Sequence, residues 1–210
     1  MKVEKHINNG FPFSFISYIS DEISEHPAII FHLHGAGERG DGDNDLELVL
    51  VNGFPKTIED CPSFKDCILV MPQCPENSFW AAKVESLKKF MDSVCNLYNA
   101  DMSRIYLAGL SMGGFGTWYT AMAYPDMFAA IAPCCGGGMP WNAEVLKMPV
   151  WAFHGSEDSV VLPSNSIDMI NALKNTNDNV KFDLYEGVGH DSWVKAFDEP
   201  LLKWLLSQHK

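Results

Sequence analysis

Gly109-Leu110-Ser111-Met112-Gly113 sets a serine two residues from a glycine on either side. A serine hydroxyl becomes a nucleophile only when a neighbouring base takes its proton. Small residues at those two positions are what a sharp strand-to-helix turn requires, and such a turn lifts the hydroxyl clear of the backbone. Gly114 and Gly116 would let the following helix pack closely. The first N–H groups of that helix and its dipole favour negative charge developing beside the serine. The bland alternative is a glycine-rich turn with no chemistry. The apolar run before the motif and the helical pattern after it favour the nucleophile.

In a turn of this kind the partners follow in the order serine, acid, histidine. His154 precedes its nearest acids, and His209 is the penultimate residue, where chains fray. His190 lies in Gly187-Val188-Gly189-His190-Asp191-Ser192-Trp193, whose two glycines permit a tight loop able to bring an imidazole over the serine. His190 is therefore the expected base. The acid should follow a strand between Ser111 and His190, where His154-Gly155-Ser156-Glu157-Asp158 offers two carboxylates. Asp158 is favoured over Glu157 because Val160 and Val161 would wall it from water. Asp191, adjacent to His190, points elsewhere in most loops. In these roles Ser111 attacks an acyl carbon, His190 carries the proton, and Asp158 fixes the imidazole tautomer.

Acyl transfer needs two N–H donors for its oxyanion. One is expected from Met112, directly after the nucleophile. The other is expected from His34-Gly35-Ala36-Gly37-Glu38-Arg39-Gly40, with Ala36 as donor and Gly35 as the alternative. A phosphate-cradling role fits poorly, because Glu38, Asp41, Asp43 and Asp45 would repel phosphate and no Gly-Lys-Ser/Thr ending follows. The acidic stretch reads as a solvated loop. Phe79, Trp80, Trp141 and Trp193 fall beside loops that follow strand-like runs, where each ring could stack on a sugar or phenol or merely pack the core margin. Trp193 and Trp80, with Gly35, are the expected substrate contacts. His32 and His34 share a strand face but lack a third ligand, so no metal is expected there. Cys134 and Cys135 read as small apolar packing groups pointing to opposite faces.

These residues need a frame. Apolar runs at 13–19, 28–34, 67–71, 105–108, 129–132, 150–153 and 180–185 read as strands. Apolar spacings of three and four predict helices at 82–98, 112–124, 164–175 and 199–208, with Pro200 suited to a first helical turn. Strands alternating with helices imply an α/β fold with a mostly parallel central sheet covered by helices on both faces. Ligands of such sheets bind beyond the carboxyl ends of the strands, where the loops after His34, Met71, Gly109, His154 and Tyr185 lie.

The chain has 210 residues, 47% of them hydrophobic and 20% charged, which excludes a disordered chain and supports one α/β domain over residues 1–210. With 27 acidic and 15 basic residues the net charge is −12, which argues against nucleic acid and anionic membranes as partners. The N-terminus has no apolar signal region, so the cytoplasm is the expected compartment, with a trimmed export signal left open. The six cysteines form no C-x-x-C pair, and free buried thiols are expected. Self-association is left open.

The segments His34 to Gly40, Met71-Pro72-Gln73-Cys74-Pro75, Gly109 to Gly114, His154 to Asp158 and Gly189-His190-Asp191-Ser192-Trp193 together resemble the α/β-hydrolase superfamily. Within it they resemble most the small bacterial phospholipase/carboxylesterase and feruloyl-esterase-like ("predicted peptidase") enzymes. The likeness runs from about residue 29 to 204. It implies the α/β-hydrolase fold, the same triad, and hydrolysis of small carboxylic esters without a cofactor, while the chain's near-minimal length leaves no large lid expected, a departure that argues against interfacial lipase action. Short-chain or aromatic esters, including feruloyl or acetyl groups of plant carbohydrate, are the expected substrates. A serine peptidase or thioesterase of the same fold, or a non-catalytic binding protein, are the alternatives.

Overall fold

The protein is described from a computed structural model covering residues 1–8 and 10–210. Its strands are β1 (Lys2–His6), β2 (Phe15–Ile19), β3 (Ala28–Leu33), β4 (Cys67–Pro72), β5 (Ile105–Leu110), β6 (Ala130–Cys134), β7 (Val150–Gly155) and β8 (Val180–Tyr185). They form one sheet in the order β1-β2-β4-β3-β5-β6-β7-β8. β2 pairs antiparallel with β1 and β4, and every other pairing is parallel. The carboxyl ends of β3 to β8 therefore meet at one edge of the sheet.

The helices are α1 (Phe54–Thr57), α2 (Val84–Leu97), α3 (Met112–Ala123), α4 (Ser164–Leu173), α5 (Trp193–Ala196) and α6 (Glu199–Leu206). All residues of β3, β4 and β5 are buried, as expected of parallel strands covered on both faces. Their alternation divides the core in two. Ile29, Phe31, Leu33, Ile105 and Leu107 pack with Leu87, Phe90 and Val94 of α2 and with Met169 and Ile170 of α4. Ala28, Ile30, Tyr106 and Ala108 pack on the other face with Phe54, Phe197 and the leucines 201, 202 and 205. Asp198 caps α6 by accepting the Leu201 N–H at 3.0 Å, and Pro200 stands in the first turn as expected.

The sequence reading assigned no strand to Lys2–His6. That segment is a charged, half-exposed edge strand, a composition that protects an edge from further pairing but carries little apolar signal. β5 and β7 outlast their apolar runs, since Gly109 and Leu110 still pair with Pro133 and Cys134, and Gly155 with Tyr185. Hydrogen bonding to the neighbouring strand decides where these strands end. All six cysteines are free and buried.

Candidate active site

Ser111 stands between the last residue of β5 and the first of α3, with φ 52° and ψ −116°. Such a conformation costs a non-glycine residue on the order of 1–3 kcal/mol, and surrounding packing must hold it. A Cβ on Gly113 would overlap the Leu33 carbonyl, and one on Gly109 would overlap the Gly113 carbonyl. Those two glycines thus let β3, β5 and α3 close around the serine.

Ser111 Oγ lies 2.8 Å from His190 Nε2, and His190 Nδ1 lies 2.7 Å from Asp158 Oδ2. With Nδ1–H donating to the carboxylate, Nε2 is left to accept the serine proton. The Asp158 side chain is fully buried, and His190 is 20% exposed. Burial pushes the Asp158 carboxyl up, but the hydrogen bonds from His190 and from the Val161 and Val160 N–H groups outweigh it and hold the group below its ordinary value. Both backbone donors reach Oδ1 at 2.9 Å. The apolar wall expected from Val160 is absent, since its side chain is 70% exposed. These two residues stabilise the carboxylate through their backbone instead. Glu157, Asp191 and His209 are exposed, and the side chains hydrogen-bonded to His190 are those of Ser111 and Asp158.

His154, set aside above on chain order, contacts the same carboxylate. Its Nε2 is 3.3 Å from Asp158 Oδ2 and 2.8 Å from the Val161 carbonyl, and its Nδ1 is 2.7 Å from Ser166 Oγ. Burial holds the ring below its ordinary pKa; its Nε2–H points to the Val161 carbonyl, and its Nδ1 contacts Ser166 Oγ, whose hydroxyl donates to the Gly136 carbonyl at 2.9 Å. The i, i+4 spacing of His154 and Asp158 was the available signal for this pairing. Asp158 is thus gripped between two imidazoles, only one of which faces the serine.

Met112 opens α3, so its N–H has no partner within the helix. Gly35 adjoins the nucleophile closely enough that a Cβ on it would lie 3.7 Å from Ser111 Cβ. Ala36 begins a short turn, Ala36–Glu38, on the exposed side. The loop is braced from beneath. His34 Nδ1 donates to the Gly35 carbonyl at 2.6 Å, and its Nε2 accepts the Cys74 N–H at 2.9 Å. Burial lowers His34 to about 4 and His32 to about 3. His32 packs edge-on against Phe54 and Phe197. Glu38 departs from the solvated loop expected of it: it is buried, and Asn52 Nδ2 donates to its carboxylate at 2.5 Å.

A cleft of about 430 Å³ opens beside Ser111, lined by Phe79, Ala81, Met112, Phe115 and Tyr119. Trp80, expected to contact substrate, is fully buried and donates its indole N–H to the His34 carbonyl at 3.0 Å. The ring facing the cleft is its neighbour Phe79, 55% exposed. Trp193 packs edge-on against His190 with centroids 5.2 Å apart, and its N–H reaches Asn52 Oδ1 at 3.3 Å. Trp141 is exposed outside this lining. One cluster that the sequence reading missed lies at the triad itself. The ligating atoms of Cys135, Asp158 and His190 all fall within 4.8 Å of one another.

A strained serine at a strand–helix turn, bonded to a histidine that is bonded to a buried carboxylate, is an arrangement that can deliver an alkoxide to an acyl carbon. Residues 66–203 match the phospholipase/carboxylesterase family. The chain belongs to that family. Over 150 residues it is 26% identical to the bifunctional acetylxylan esterase/xylanase XynS20E of Neocallimastix patriciarum, covering 69% of this chain and 21% of that protein. Over 126 residues it is 31% identical to feruloyl esterase B of Neurospora crassa, covering 57% of this chain and 42% of that one. It spans less than half the length of either relative. Among solved structures it is similar to a thermostable esterase with a TM-score of 0.83 and 27% identity, covering all of this chain and 63% of the other. Among the described residues no helix is long and apolar enough to cross a membrane.

Proposed function

We propose that this family member is a serine carboxylesterase acting on short-chain or aromatic acyl esters of plant carbohydrate. The observation that carries the reading is the continuous chain Ser111 Oγ–His190–Asp158, with links of 2.8 and 2.7 Å. His190 Nε2 takes the serine proton as Oγ attacks the ester carbonyl. The Met112 N–H and an N–H of the 35–36 loop receive the oxyanion. His190 then protonates the leaving alcohol, and the acyl-enzyme is hydrolysed by water activated by the same imidazole. Asp158 holds the imidazolium throughout.

The cleft supports the substrate class. Phe79, Phe115 and Tyr119 surround a volume of about 430 Å³ beside the nucleophile, which suits an acetyl group or a single phenolic ring. Curated relatives are named acetylxylan esterase and feruloyl esterase. The test is a parallel assay of p-nitrophenyl acetate, methyl ferulate, a thioester and peptide p-nitroanilides, with Ser111→Ala as control. The oxygen esters should be turned over and the Ser111→Ala protein should be inert. Peptide cleavage faster than ester cleavage would overturn the assignment in favour of a peptidase, and faster thioester cleavage would favour a thioesterase.

A further inference from the structure

We propose that Cys135, Asp158 and His190 form an inhibitory site for a thiophilic divalent cation of the Zn²⁺ class, which silences Ser111 by removing its base. The proposal rests on the reading of Ser111 and His190 as nucleophile and base. Cys135 directly follows β6, and its backbone N–H is tied to the Phe153 carbonyl at 2.8 Å. Its side chain is fully buried against the triad, and ester hydrolysis gives the thiol no task. A thiolate sulfur, an imidazole nitrogen and a carboxylate oxygen are together the donor types that Zn²⁺ takes. Mg²⁺ and Ca²⁺ seek several oxygens, and this site offers one carboxylate.

In a tetrahedral zinc site of this composition the ligating atoms lie about 3.3–3.8 Å apart. Here they lie within 4.8 Å of one another, with His190 Nδ1 and Asp158 Oδ2 at 2.7 Å, so the sulfur must draw in by up to about an ångström while that pair opens by about 0.6 Å. The Val188 and Gly189 carbonyls of the loop carrying His190 pack on Gly155, so the adjustment falls on the side chains of Cys135 and His190. Charge also balances. A thiolate and a carboxylate neutralise a dication, which matters where both side chains are buried. Cys134 is not a competing ligand, since its sulfur is turned to Ser192 Oγ at 3.4 Å.

The inhibitory step is a coordination with no electron transfer. The Cys135 thiol releases its proton to solvent as the metal–sulfur bond forms. The Nδ1–H···Asp158 hydrogen bond breaks as Nδ1 and the carboxylate bind the ion. The imidazole proton passes to Nε2, which now donates toward Ser111 instead of accepting from it. The serine keeps its proton and one proton is released per ion bound.

The test is a calorimetric titration of the purified full chain with ZnCl₂, paired with hydrolysis of p-nitrophenyl acetate in chelator-free buffer. One ion per chain, about one proton released, and inhibition reversed by EDTA are expected. Cys135→Ala should keep its ester turnover while its inhibition midpoint rises about tenfold or more. Cys134→Ala should keep the wild-type midpoint, and MgCl₂ should have no effect. An unchanged midpoint in Cys135→Ala, or no zinc binding to the wild type, would overturn the site. If Cys135→Ala does not fold, CdCl₂ added to the wild type substitutes: a cadmium–thiolate ultraviolet band should grow in step with loss of fluorophosphonate labelling at Ser111, and labelling that persists through saturation overturns the site. Zinc binding by a protein without ester turnover would sink the functional reading and spare the site. Turnover indifferent to zinc would do the reverse.

Discussion

Ser111 and His190 face each other across one hydrogen bond, yet the two walls that hold them are built differently. The serine wall is backbone packed on backbone: β3, β5 and α3 close so tightly that Gly113 has no room for a Cβ beside the Leu33 carbonyl. The histidine wall is a loop whose Val188 and Gly189 carbonyls also close on Gly155, but side chains hold the ring itself: Asp158 fixes it from below and Trp193 packs on its edge. The first wall stores strain at Ser111 and keeps it. The second grips the imidazole through side chains, the ring proposed to exchange protons with two different oxygens in one turnover.

The difference can be broken most sharply on the histidine wall. Asp158→Asn should lower kcat by about 10⁴-fold, because the tautomer that leaves Nε2 free is lost, while thermal unfolding changes little; a loss under tenfold would mean the carboxylate does not orient the ring. On the serine wall the damage should appear as stability. Gly113→Ala should cost more than about 3 kcal/mol, since the added methyl has only backbone to displace. Urea unfolding measures it, and a cost below about 1 kcal/mol would show that the packing is looser than described.

Acid separates the walls further. His32 and His34, beneath the serine wall, are neutral when folded, with burial lowering them to about 3 and about 4. The unfolded chain protonates both near pH 6.5, so it binds more protons than the fold between that value and the folded pKa values. Their contribution is intact above about pH 6.5 and declines as pH falls, reaching about 3 kcal/mol lost per histidine by pH 4. His32→Leu should flatten this acid limb by about one proton taken up on unfolding; an unchanged limb would contradict it. The smallest effect concerns the cleft. Phe79→Ala should raise KM for methyl ferulate about fivefold, from about 1 kcal/mol of lost ring contact, and leave p-nitrophenyl acetate nearly unaffected.

The two walls also differ in how far their residues could be read in advance. Ser111 and the parallel sheet were legible because steric need writes itself locally, as glycines two residues away and as apolar runs at strand spacing. His190 was legible by order along the chain. The supports were not. Trp80 and Phe79 are neighbours, and which ring faces the cleft depends on packing against His34, just past β3 and 46 residues earlier. Val160 and Val161 were the right residues for the wrong reason, because backbone N–H groups leave no mark in side-chain type. His154, Glu38 and Cys135 reach the site only through tertiary packing. β1 hid because an edge strand needs charge more than hydrophobicity.

The central claim is that the relay from Asp158 through His190 makes Ser111 a nucleophile, and a fluorophosphonate probe reads it directly. Peptide mass spectrometry of the treated chain should find one phosphonyl adduct, on Ser111, and His190→Ala should slow its formation by at least about 10³-fold. An adduct on another residue, or equal labelling without the histidine, would contradict the account.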